Sequence, residues 1–194
     1  MSDAELVALA RQGDTSAFGE LVDRHRAAVY RAALAALGSH AEAEDAAQDA
    51  FVTAYKRLSS FRGEASFKTW LLTIAWNQAI NRRRWLRLAW HRRDGREGSA
   101  SGGGAPRALE EEEGRERTPE QLVIDRELAS AIVKEIRALA PKLRDALLLA
   151  QSGEYGYEEI ASMLGIPVGT LKWRVSEARK VVKRGLSRRG FQDV

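Results

Sequence analysis

The sequence predicts an all-α protein of two small helical domains joined by a flexible linker, the C-terminal domain built on a helix-turn-helix. Three observations carry this expectation. Apolar residues recur at helical spacing toward both ends of the chain, with no strand-like alternation of any length. Over residues 94–117 the periodicity stops, and GREGSASGGGAPRALEEEEGRER passes from glycine and serine into a glutamate block that buries too little apolar surface to fold by itself. Beyond it, GEYGYEEIASMLGIPVGTLKWRVSEARKVVKR sets two helical patterns around a glycine turn. The expected units are therefore 1–93, the linker 94–117, and 118–194.

In the first unit, residues 3–12 form a short helix stopped at Gly13. Asp14 to Ser16 then offer N-caps for a second helix that runs to Leu37 and is closed by Gly38. A third helix covers residues 40–58. Ala43, Ala47, Ala50, Phe51, Ala54 and Leu58 share one face of it, while Asp45, Gln48, Asp49, Val52 and Lys56 point the other way. That second face is either a solvated acidic surface or a protein-binding one, and Val52 among carboxylates favours the latter. The loop SSFRGEAS follows, with Gly63 at its centre and two possible N-caps.

A fourth helix places Phe67, Trp70, Leu71, Ile74, Gln78 and Ile80 along one flank and leads into Asn77, Asn81, Arg82, Arg83 and Arg84. Some of those arginines complement the helix dipole. The run goes on through Arg87, His91, Arg92, Arg93 and Arg96 with Trp85 and Trp90 interleaved, more cations than a dipole needs. Cations for phosphates and rings for stacked bases suit a nucleic-acid strand. Trp70 and Trp76 are assigned to core packing.

In the last unit, Thr118 and Pro119 form a cap and first-turn pair. Leu122, Leu128, Ile132, Ile136 and Leu139 make one helical stripe, and Pro141 opens another helix with Leu143, Leu147 and Leu148. Tyr157, Ile160, Ala161 and Leu164 then line a short helix ending at Gly165, a residue suited to the positive φ of a helix exit. Pro167 opens the final helix, whose apolar arc is Leu171, Val175, Ala178 and Val182. Its opposite face carries Gly169, Thr170, Trp173, Ser176, Glu177, Lys180, Lys183 and Arg184, and an outward tryptophan there points to a contact.

Composition narrows the function. In 194 residues, 31 Lys and Arg stand against 27 Asp and Glu, a formal charge of +4 that favours a polyanionic partner. There is no cysteine, and His25, His40 and His91 are scattered, so neither a disulfide framework nor a metal site is expected. Without a phosphate-cradling GxxxxGK loop or a nucleophile elbow, no catalytic residue and no cofactor is expected either. No apolar leader or membrane-length run is present, so a soluble, cytoplasmic protein without membrane insertion is expected.

Four stretches together resemble the sigma-seventy family of bacterial transcription initiation factors, most closely its extracytoplasmic-function group: LVALARQGDTSAFGELVDRHRAAVYRAAL, AEDAAQDAFVTAYKRLSSF, FKTWLLTIAWNQAINRRR, and LAPKLRDALLLAQSGEYGYEEIASMLGIPVGTLKWRVSEARKVV. They cover nearly everything outside the linker and the tail. The resemblance implies that Asp45, Gln48, Asp49 and Val52 dock on core RNA polymerase. It implies that Ser60, Phe61, Arg62, Asn77, Gln78, Asn81 and Arg82 recognise the minus-ten promoter element and hold its separated strand. It further implies that the helix-turn-helix reads the minus-thirty-five element as duplex, with Thr170, Trp173, Ser176 and Glu177 facing bases and Lys172, Arg174, Arg179, Lys180 and Lys183 on phosphates. An inhibitory anti-sigma factor is expected for the group. The chain departs from the family in carrying Trp173 where a small polar residue is usual, and in the alanine content of its third helix. A helix-turn-helix repressor or activator working without polymerase is the competing reading, and it predicts DNA binding alone at a symmetric site.

Overall fold

The computed structural model describes residues 1–93 and 119–191. The linker expected over 94–117 and the Thr118 cap lie outside the described residues, as do Arg96 and the side chains of Arg87, Trp90, His91, Arg92, Arg93 and Leu122. Among the described residues the chain is helical and contains no strand, in agreement with the sequence.

Helix α1 (Asp3–Arg11) begins at a capping box that the sequence reading did not identify: the Ser2 hydroxyl accepts the Glu5 N–H, and the Glu5 carboxylate accepts the Ser2 N–H at 2.6 Å. Asp14 is the cap of α2 (Thr15–Leu37), its carboxylate accepting the N–H groups of Ser16 at 2.9 Å and Ala17 at 3.1 Å. Gly38, at φ 70°, closes that helix as expected. Helix α3 (His40–Arg57) runs into a single 3-10 turn, Leu58–Ser60, and α4 (Phe67–Arg93) follows the loop.

The first core is made largely of alanine. Ala32, Ala33 and Ala36 of α2 and Ala43, Ala46, Ala47, Ala50 and Ala54 of α3 are all buried. Such small side chains let the helices come close, while Leu6, Leu21, Val29, Leu71 and Leu72 supply the bulk. Phe51, expected on the buried face of α3, is only half-covered.

Helix α4 corrects the sequence reading in one respect. Besides the flank that was expected, Leu72, Ala75, Trp76 and Ala79 are buried, because α2 and α3 cover one side of the helix and α7 covers the other. Trp76 is a core residue as expected; Trp70, Gln78 and Ile80 are half-buried.

The second unit holds α5 (Pro119–Ala138), α6 (Pro141–Gln151), α7 (Tyr157–Leu164) and α8 (Val168–Arg188). Gly165 takes the left-handed conformation at φ 63° between the last two, and its N–H reaches back to the Ser162 carbonyl. Pro167 is the residue before the first turn of α8, one position earlier than expected. Leu171, Val175 and Ala178 are buried; Val182 is only half-buried, and Leu186 takes over as the core residue near the end of the helix.

The two units pack directly against each other, an arrangement the sequence left open. Tyr155, in the α6–α7 connection, is buried with its hydroxyl donating to the Ala28 carbonyl at 2.7 Å, and burial pushes its phenol pKa well up. Around it Arg31 pairs with Glu154 at 2.7 Å, Lys68 with Glu159 at 3.1 Å and Arg83 with Asp145 at 2.6 Å.

Candidate protein and nucleic-acid interfaces

Helix α3 has two unlike sides, and the second is the first candidate surface. Its alanines are buried at helical spacing, so the residues between them are turned outward. Asp45, Gln48, Asp49 and Val52 are all exposed, Val52 by 53 %. Tyr55, one turn beyond Val52, was missed from the sequence: it is 44 % exposed, with its ring held edge-on to Phe18 of α2 at 4.9 Å. Its spacing of three from Val52 was the available signal. An apolar pair among carboxylates can take both a cationic and an apolar contact.

The second candidate surface is the loop after α3 with the middle of α4. Ser60 is exposed, its hydroxyl donating back to the Arg57 carbonyl at 2.7 Å. Phe61 is half-buried in an aromatic cluster, 5.2 Å from Trp70 and 5.9 Å from Phe67 between ring centroids. Arg62 stands in water beside Gly63, whose φ of 76° sharpens the turn. On α4, Asn77 and Asn81 are exposed, with no side-chain hydrogen bond among the described residues, but Gln78 is engaged: its amide donates to the Thr53 hydroxyl at 2.5 Å and to the Asp49 carbonyl at 3.3 Å.

Arg82 does not face open solvent. Its guanidinium contacts the Glu42 carboxylate, lies 2.7 Å from Asp45 and 3.7 Å from Asp49, and is held even more firmly protonated by the hydrogen bond to Glu42. Glu42 is a second residue that sequence reading missed. A cleft of about 800 Å³ opens between α3 and α4, walled by Asn77, Asn81 and Arg82 with Trp70 and the 62 % exposed Trp85 at its sides. Amides that read base edges, indoles that stack and a guanidinium at the rim fit an unpaired nucleic-acid strand.

The third surface is α8. Burial of Leu171, Val175 and Ala178 turns Lys172, Trp173, Ser176, Arg179, Lys180 and Lys183 outward, all exposed. Thr170, Arg174 and Glu177 are half-buried, and Glu177 pairs with Arg184 at 3.2 Å. Trp173 is 62 % exposed, so the polar face does present the aromatic that the sequence placed there. A shallow concavity of about 400 Å³ joins this face to α7 and is lined by Tyr157, Lys172, Ser176, Arg179 and Lys180. Tyr157 was read as a core residue; it is half-buried and shares this wall. Exposed cations flanking small polar groups and one ring can meet a phosphate backbone with base edges between. Among the described residues no group of His, Asp and Glu could hold a metal ion, and no helix is long and apolar enough to cross a membrane.

The sigma-70 region 2 family matches residues 21–88, and the sigma-70 region 4 family matches residues 129–182. The extracytoplasmic-function (ECF) RNA polymerase sigma factor SigW of Bacillus subtilis is 32 % identical over 91 % of this chain and 92 % of its own length. The ECF RNA polymerase sigma-E factor of Escherichia coli K12 is 33 % identical over 94 % of this chain and 93 % of its own. Among solved structures, CnrH in complex with the cytosolic domain of CnrY superposes with a TM-score of 0.63 at 25 % identity, covering 96 % of this chain and 97 % of that one.

Proposed function

The chain belongs to the extracytoplasmic-function group of the sigma-70 family of RNA polymerase sigma factors, and from that premise we propose that it is a dissociable initiation factor that brings core RNA polymerase to specific promoters and helps open them. The observation that carries this reading is the outward face of α3. The fold buries its alanine side and leaves Asp45, Gln48, Asp49 and Val52 in water, a mixed surface that folding does not require and a protein partner uses. We assign it to core polymerase.

Residues 1–93 then handle the minus-ten element. Asn77, Asn81 and Arg82 line the cleft that takes the unpaired strand, Gln78 braces its floor, and the loop Ser60, Phe61 and Arg62 lies at its approach. Strand capture shifts the duplex toward its open form by binding energy alone, so no ATP is consumed and the chain needs no chemistry of its own. Residues 118–194 hold the minus-thirty-five duplex: Lys172, Arg174, Arg179, Lys180 and Lys183 supply phosphate contacts, and Thr170, Trp173, Ser176 and Glu177 face the groove. The linker 94–117 joins the two. The work is cytoplasmic, and an anti-sigma factor restrains the chain until it is needed, in keeping with a solved relative captured with a second protein.

Co-elution with sigma-free core polymerase tests the reading. The wild-type chain is expected to elute with the core and the Asp45→Arg, Asp49→Arg chain to elute alone; equal behaviour of the two removes α3 as the docking surface.

A further inference from the structure

Resting on the reading above, one side chain belongs to both of its first two surfaces. Arg82 is a strand-facing residue of the α3–α4 cleft, yet every carboxylate it touches lies on α3. Glu42, Asp45 and Asp49 are spaced three and four residues apart, which aligns them along one face of the helix. Asp45 and Asp49 are 61 and 63 % exposed, while Arg82 and Glu42 are only 29 and 31 % exposed. The fork of the guanidinium spreads its Nε toward Glu42 and its two terminal nitrogens toward Asp45 and Asp49. One positive charge thus sits against three negative ones. The neighbouring Arg83 does not relieve them, since it is committed to Asp145 and to the Ala36 carbonyl. A phosphate approaching Arg82 meets a net negative field and finds Nε and one terminal nitrogen already donating to Glu42 and Asp45.

The two exposed carboxylates are also the ones assigned to the polymerase contact. A cationic protein surface seated on them would take Asp45 and Asp49 from Arg82 and leave it tethered by Nε to the more covered Glu42, with its terminal nitrogens free and aimed along the cleft. We propose that Glu42, Asp45 and Asp49 clasp Arg82 away from nucleic acid in the free chain, and that docking of polymerase on Asp45 and Asp49 releases it onto a strand phosphate. Glu42 is the positioning residue of this device: it keeps the guanidinium at the cleft in both states. The coupling runs both ways, so a bound strand tightens the hold on polymerase by the same factor.

Fluorescence anisotropy of the full chain with a fluorescein-labelled 12-nucleotide single strand of mixed sequence, followed across a salt series, tests it. Opening the clasp with Asp45→Asn plus Asp49→Asn is expected to raise strand affinity about three- to tenfold, whereas Glu42→Gln, which removes the tether kept in both states, is expected to give no such gain. The double variant should also steepen the log–log salt dependence by about 0.7, the increment for one added phosphate contact on a single strand. Adding Arg82→Gln to the Asp45→Asn, Asp49→Asn chain is expected to abolish both changes. No gain in affinity from Asp45→Asn plus Asp49→Asn, or a gain that survives Arg82→Gln and so reflects general loss of repulsion, overturns the clasp. Thermal unfolding of each variant verifies folding. Co-elution of the wild-type chain with core polymerase is scored separately: unchanged strand binding in a chain that co-elutes rejects the clasp alone, whereas loss of co-elution rejects the initiation-factor reading.

Discussion

Arg83 and Asp145, 62 residues apart in sequence, close a 2.6 Å ion pair between α4 and α6, and only 15 and 17 % of their side-chain surfaces reach water. Truncating one partner of such a pair strands the other in a poorly hydrated place. Because some water reaches both groups, Asp145→Ala is expected to weaken the contact between the two units by about 1–3 kcal/mol, less than for a fully buried pair. The radius of gyration from X-ray scattering should rise, and hydrogen exchange should quicken in α7 and the first half of α4. An initiation factor must part these units in any case. Elements about 25 base pairs apart lie about 85 Å apart along B-form DNA, at about 3.4 Å per step. The loosened chain should therefore keep promoter-directed transcription.

Gly165 is held at φ 63° with nothing near the place where a Cβ would stand, so the cost of a side chain there is one of backbone alone. Gly165→Ala is expected to destabilise the helix-turn-helix by about 1–2 kcal/mol, and Gly165→Asn by less, since asparagine tolerates the left-handed region. Chemical denaturation of both variants checks the order.

Asp14 titrates below the usual carboxylate range, held there first by the Ser16 hydroxyl and then by the Ala17 N–H. A carboxylate lowered by folding lends its stability above its unfolded pKa and withdraws it as pH falls through the folded value. The unfolding midpoint of Asp14→Ala should lie below that of the wild type at neutral pH, and the gap should close in acid. Circular dichroism melts between pH 7 and pH 3 measure it.

Trp173 is mostly in water, so Trp173→Ala should change stability by no more than about 0.5 kcal/mol. Its affinity for a duplex bearing the minus-thirty-five element should nevertheless drop about 5- to 30-fold, the worth of about 1–2 kcal/mol of ring contact. Unchanged duplex affinity would give the ring another role.

Periodicity and punctuation made most of the fold readable. Gly38 and Gly165 mark the helix ends where they were expected, because only a residue without a Cβ enters the left-handed region cheaply. Asp14 could be placed within a three-residue window by its capping chemistry. The buried side of α3 was legible because alanine alternates there with charge. Reading α4 as having a single covered flank failed for a physical reason: a helix packed on two sides has no single apolar stripe, and the second cover, α7, comes from the far unit. Contacts between units leave no periodic trace. Tyr155 has no local pattern to set it apart from a surface tyrosine; its partner carbonyl lies 127 residues away.

The interfaces were legible to a different degree. Asp45, Gln48, Asp49 and Val52 share a face by spacing alone, as do the outward residues of α8. What spacing could not reveal is engagement. Gln78 and Arg82 read as free strand-binding groups, yet one is bonded to α3 and the other is surrounded by its carboxylates. Glu42 became visible only when α3 and α4 were laid side by side.

In vitro transcription decides whether the chain is an initiation factor. The template is a library of genomic fragments from a bacterium that carries this chain, transcribed by sigma-free core polymerase with and without the protein. Discrete transcripts that need both components and disappear with Asp45→Arg and Asp49→Arg are expected. Tight binding of the chain alone to duplex fragments, with no new start site when core polymerase is added, would contradict that role.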